Sequence, residues 1–314
     1  MGIPLSGMKR GTQGDKLGMN ERPKPRLSFV EPEYADMALA SHKAKLGGLL
    51  DMIASEPVKL PHSMYNKVAD RYKAIGRYLY ALGFPMETVK DAIRKAANAY
   101  LEVFRLRGTD PAFPAYTFTY DPNHAPGTPE SILEFKPIHG EGAMDYSLTN
   151  SHKGFAAVCE ALIAGEDELA TRIAGLIWDP PNASYIGPRS FCTPNDQHLG
   201  YGLREFFGGC FNAMEAELAQ IRVRQSDDAI SHQASMLQAL ATKDDVEFCS
   251  SLDALLVRHA KLANSKKNRR DTDFYICTRG LGLCRLALRH RNLATEDLPQ
   301  DNVFLPVELI TTET

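Results

Sequence analysis

The sequence predicts an all-α protein: consecutive antiparallel helical hairpins forming a bundle or short solenoid, with one long irregular insertion. Three observations predict it. Apolar residues recur at spacings of three and four through most of the chain, the period of one helical face. Acidic residues or prolines open most of these stripes and glycine or proline closes them. No strand–helix–strand unit appears that would build a parallel sheet. With 314 residues, 44% of them apolar, the chain can bury a sizeable core as one large domain or two smaller ones.

Residues 1–32, with Pro23, Pro25 and Pro32 and no sustained periodicity, read as a flexible N-terminal arm or one bound to the surface. The N-terminal helical hairpins occupy 33–108. A first helix starts near Tyr34 and runs to Ile53, where Pro57 and Pro61 stop it. Met64, Val68, Tyr72, Ile75, Leu79 and Leu82 mark a second, ended by Gly83. Pro85 opens a third, with Val89, Ile93, Ala96 and Tyr100 on one face, so the pair makes an αα-hairpin. Residues 109–144 break the pattern with prolines and an aromatic cluster. They read as an irregular insertion with a short extended pair near Tyr116–Tyr120 and Ile132–Phe135.

A C-terminal helical domain, 145–314, packs on the first. It opens with helices at 148–164 and from Glu166. A long helix over Asn195–Gln225 follows, in which Gly208-Gly209 would admit a neighbouring helix. Helices beginning at Asp227-Asp228 and Asp244-Asp245 come next. The last runs from Thr272 to about Arg291; its Phe274, Cys277, Leu281, Cys284 and Leu288 keep a strict stripe, while Gly280 and Gly282 let a neighbour approach. No fixed self-similarity marks true repeats.

The six cysteines form no CxxC pair and read as small buried hydrophobes, not as a disulfide framework or zinc site. The net charge of −3 is unevenly spread, with ten Lys/Arg against three Asp/Glu from Leu252 to Arg291. The basic connector Lys266-Lys267-Asn268-Arg269-Arg270 lacks the interleaved aromatics of a nucleic-acid surface, so no direct nucleic-acid partner is expected. No apolar run is long enough to span a membrane and the N-terminus has no signal-peptide core, which predicts a cytoplasmic protein. P-loop, GxSxG, HExxH and dinucleotide fingerprints are missing, and Asp244-Asp245-Val246-Glu247 lacks DDxxD spacing. His259 reads as a satisfied, half-buried histidine. The expectation is therefore a non-enzyme with no cofactor, no metal and no catalytic residues.

The order His259-Ala260-Lys261, Asn268-Arg269-Arg270-Asp271, Phe274, Gly280 to Ala287 and Val303-Phe304-Leu305-Pro306-Val307-Glu308-Leu309-Ile310 resembles the end of helical polymorphic-toxin immunity proteins. The resemblance is to immunity family forty-nine, or to the related polymorphic-toxin nuclease inhibitor family. It implies an antitoxin that binds a cognate secreted bacterial toxin or effector, delivered by a contact-dependent or type VI system, and occludes its active site. If that effector is a nuclease with a basic groove, acidic clusters would meet it: Glu166, Asp167, Glu168, Asp227, Asp228, Asp244, Asp245 and Glu247. Helix-start electrostatics explain the same residues without a partner. A homodimer is compatible with this reading. The alternative is a tetratricopeptide-like adaptor or chaperone that binds a peptide or protein.

Overall fold

A computed structural model describes residues 24–55, 61–106, 115–120, 132–138, 150–177, 192–222, 228–290 and 293–311. Eleven α-helices lie among them, and the fold is all-α as the periodicity predicts: α1 (Pro32–Ser55), α2 (Pro61–Ala81), α3 (Met86–Leu106), α4 (Ser151–Ile163), α5 (Asp167–Gly175), α6 (Pro194–Phe207), α7 (Phe211–Leu218), α8 (Ala229–Thr242), α9 (Asp245–Ala263), α10 (Thr278–His290) and α11 (Glu308–Thr311). Within the insertion, β1 (Ala115–Tyr120) and β2 (Ile132–Ile138) pair antiparallel, with Phe118 opposite Phe135. The remainder of the insertion lies outside the described residues.

α1 packs on α2 and α2 on α3, the latter joined by Gly83, Phe84 and Pro85. Gly83 takes φ of 85°, the left-handed turn that a side chain would resist. α4 is the hub. Asn150 caps its start by accepting the Lys153 N–H, and nearly its whole circumference is buried against α3, α5, α6 and α10. One continuous apolar core runs from Leu27 through α2, α3, α4, α8, α9 and α10 to Ile310.

The last helix differs from the sequence expectation. Instead of one run from Thr272, a 3-10 turn (Thr272–Phe274) is followed by a break, and α10 starts only at Thr278. The break exists because the Cys277 N–H turns outward to the Phe304 carbonyl, 2.7 Å away, so the closing tail replaces a helical bond. α10 then drives between its neighbours. Gly280 faces Leu255, and Gly282 lies so close to α4 that an added Cβ would sit 2.5 Å from the Cys159 Cβ.

The helix expected over Asn195–Gln225 is two, α6 and α7. Gly208 and Gly209 close α6, and no neighbouring helix explains them. Gly209 takes φ of 71°, and the Cys210 N–H reaches back to the Glu205 carbonyl, a Schellman closure. Where it is described, the N-terminal arm is bound to the helices. Leu27 and Val30 are buried, Arg26 binds the Phe84 carbonyl, and Phe29 stacks on Phe304. Three apolar side chains and a guanidinium anchor it; residues 1–23 lie outside the described residues.

Candidate functional site

Where α2, α4 and α9 converge on the first turn of α10, they enclose a cavity of about 720 Å³. Its wall is charged. α2 presents Asp70, Lys73 and Arg77, spaced three and four apart on one face. α4 brings His152, Lys153 and Glu160, while α9 brings Arg258 and His259 beside Leu255 and Leu262. Asp273 enters from the 3-10 turn, and Cys277, Thr278 and Arg279 come from the start of α10.

Arg77 is the centre of this wall, with its side chain only 5% exposed. Its Nη2 donates to Glu160 Oε1 at 2.7 Å and to the Thr278 hydroxyl at 2.6 Å, which ties α2 to both α4 and α10. Burial alone would lower the Arg77 pKa; the Glu160 carboxylate beside it outweighs that and raises it. Breaking such a buried pair by removing one partner costs about 3–5 kcal/mol, because the other charge is left in low dielectric. Among the described residues, Nε and Nη1 of Arg77 have no hydrogen-bond partner.

A second cluster joins α4, α6 and α10. His152 Nδ1 lies 2.8 Å from both Asp196 Oδ1 and Arg279 Nη2, and a single tautomer can serve only one of them. Asp196 Oδ2 meanwhile completes the capping box of α6 with Thr193. Burial would raise the Asp196 pKa, but the His152 bond, the Arg279 charge and the Thr193 N–H hold it at about 2. Asp273 is likewise held at about 2, Lys73 and Arg77 outweighing its burial. The Arg279 charge, then burial, lowers the His152 pKa. Burial lowers that of His259, whose Nε2 meets the Phe274 carbonyl at 3.0 Å. Burial pushes the Cys277 thiol up to about 11 and raises Tyr100 well above its ordinary value.

The acidic residues expected to contact a partner are scattered, and most are occupied locally. Glu166 pairs with Arg94 of α3 at 2.8 Å, and Asp167 with Arg289 of α10 at 2.5 Å; Glu168 is exposed. Asp228 caps α8 through the Ile230 N–H, and Asp244 caps α9 through the Glu247 N–H. Glu247 accepts from Ser251, and Asp245 stands exposed in the same first turn. Asp228 and Asp244 flank opposite ends of the 14-residue α8, about 20 Å apart, so they make no single patch. Asp227 lies outside the described residues.

The periodicity reading named His259, Phe274 and Cys277 of the cavity wall and passed over Arg77 and Glu160. A signal was present: Glu160 is the one charge in Ala156-Ala157-Val158-Cys159-Glu160-Ala161-Leu162-Ile163, and Arg77 stands alone in Ala74-Ile75-Gly76-Arg77-Tyr78-Leu79-Tyr80. A lone charge inside an apolar helical stretch needs a buried partner, and these two find each other. Among the described residues, no group of three or more His, Cys, Asp or Glu is arranged to hold a metal ion, and no helix is long and apolar enough to cross a membrane. The cysteines there are free, with Cys159, Cys192, Cys277 and Cys284 buried. Neither protein-family models nor curated proteins nor solved structures give a match to the chain.

Proposed function

We propose that the chain is an immunity protein that acts by binding: it holds a cognate bacterial toxin and blocks it, and performs no chemistry of its own. The observation that carries the non-catalytic part of this reading is the direction of the resolved pKa shifts around the cavity. Asp273 is held at about 2, the Cys277 thiol is pushed to about 11, Arg77 is raised and both histidines are lowered. A general acid or base works best with a pKa near the operating pH. Here each group is driven away from neutrality, so the wall carries a fixed charge pattern, which suits recognition rather than proton transfer.

The resemblance supplies the partner. The residues that carry it divide: Gly280 and Gly282 seat α10 and Leu305, Leu309 and Ile310 are buried, His259 and Phe274 line the cavity, and Lys261, Arg269, Arg270 and Asp271 are exposed. The buried part of this set supports a scaffold of that kind, and the toxin-binding surface is a separate matter of what that scaffold displays. The test is genetic and biochemical. Expression of the product of the adjacent gene should kill cells unless this chain is co-expressed, and the two should co-purify. A neighbouring product that is harmless, or one that kills regardless of this chain, would remove the reading.

A further inference from the structure

We propose that the outer face of α9 is a docking surface for a second copy of this chain, the two α9 helices pairing antiparallel about a two-fold axis. Such pairing goes beyond toxin binding and stands or falls independently of it.

Exposure points to this face. Val246 is 82% exposed and Val257 72%, and no other large apolar side chain among the described residues is as open; Met37 of α1 follows at 67%. The two valines lie eleven residues apart on α9, which at 3.6 residues per turn brings them to the same side within about 20°. Helix propensity does not account for them, because β-branched side chains lose rotamer freedom in a helix and an exposed one gains no packing in return. Ser250 and Asp253, also exposed, lie between them on that side, while Phe248, Leu252 and Leu255 are buried on the opposite one.

The stripe Val246, Ser250, Asp253, Val257 is its own complement. Antiparallel pairing about an axis between Ser251 and Leu252 sets Val246 against Val257 of the second copy, and Ser250 against Asp253 of the second copy. Symmetry repeats both pairs, so the contact contains two valine pairs and two hydroxyls, each placed to donate to a carboxylate. Charge agrees at the ends. Lys261, exposed one turn beyond Val257, comes alongside the exposed N-cap carboxylate of Asp244 of the second copy. Other arrangements lose the match: parallel pairing puts Asp253 against Asp253, and a slip of one turn puts Val246 against Lys261.

The paired helices overlap from Asp245 to Arg258, about 14 residues or 21 Å. A contact of that length belongs with the small, reversible interfaces, so a dimer in the micromolar range is expected.

The test is sedimentation velocity on the purified full chain from about 1 to 200 µM, a range that brackets such an affinity. A concentration-dependent monomer–dimer equilibrium is expected. Val257→Glu should raise Kd about tenfold or more, whereas Met37→Glu on α1 should leave it unchanged. The discriminating change is Ser250→Asp, made alone and together with Asp253→Ser. Alone it sets carboxylate against carboxylate in both symmetric pairs and should weaken the dimer about tenfold; the added change restores a carboxylate facing a hydroxyl and should return Kd to within about threefold of the parent. All four positions are exposed, and circular dichroism reports whether the variants fold. A chain that stays monomeric at the highest concentration, a dimer indifferent to Val257→Glu or Ser250→Asp, or a double variant that stays weak would each overturn the interface. Toxin protection by the same variants is measured separately, so loss of one property leaves the other legible.

Discussion

Asp196 shows how much one side chain can carry. Its two carboxylate oxygens hold the α6 capping box and the His152–Arg279 pair, so a single residue ties three helices together. Because its folded pKa is depressed to about 2 from 3.8, it contributes stability above pH 4 that is lost as pH falls through about 2. The amount is on the order of 2 kcal/mol. Asp273 shifts the same way, but its side chain is 56% exposed, so solvent screens it and it adds less. His42, His152 and His259 are also depressed, so they contribute stability above 6.5 that weakens as pH drops below it. The melting temperature should therefore fall in two stages, gently below pH 6.5 and steeply between pH 4 and 2. Asp196→Asn should lower the plateau and flatten the steep stage; an unchanged acid limb would show that Asp196 does not titrate as described.

Helices were the legible part of this sequence, and their interruptions were not. The stripes on α2, α3 and α9 translate directly into buried faces, and the small residues of α10 do admit a neighbour. The divisions at Gly208-Gly209 and Cys277 were hidden for different reasons. The first depends on a turn that glycine favours but does not require. The second depends on the Phe304 carbonyl, 27 residues away and invisible to any local pattern. The cavity was missed because its charges come from α2, α4, α9 and the 3-10 turn, and no sequence window contains them together. Glycines separate the two kinds of site experimentally. Gly282→Ala puts a methyl against the Cα of Cys159 at 2.8 Å and should destabilise by about 1–3 kcal/mol. Gly48→Ala, mid-helix in α1 with nothing within 4 Å, should stabilise by up to about 1 kcal/mol. Urea midpoints moving in opposite directions, at constant m-value, would verify both.

At the scale of the whole molecule, the tail 303–311 is structural. Phe304, Leu305, Val307, Leu309 and Ile310 are all buried, and the Ile310 carbonyl receives Arg285 Nη1 at 2.6 Å. Tyr80 of α2 donates its hydroxyl proton to the Val303 carbonyl, so the tail touches the N-terminal helices as well. Fully burying one such apolar side chain stabilises by about 1.5–3 kcal/mol. Five of them rival the roughly 5–15 kcal/mol net stability of an ordinary domain. Deleting residues 303–314 should therefore abolish cooperative unfolding, giving a broad melt and dye-binding apolar surface by fluorescence. A sharp transition in the truncated chain would show that the core closes without its tail.

The stacking of Phe29 on Phe304 has a consequence during synthesis. Phe29 leaves the ribosome early and waits for a partner translated some 275 residues later. Until then Phe29 lacks its stacking partner and the Tyr80 hydroxyl its acceptor, so a transcript cut short before Val303 yields a product without the buried Phe304, Leu305, Val307, Leu309 and Ile310. Such a product would leave open to proteases the apolar surface that residues 303–311 close over once they are translated.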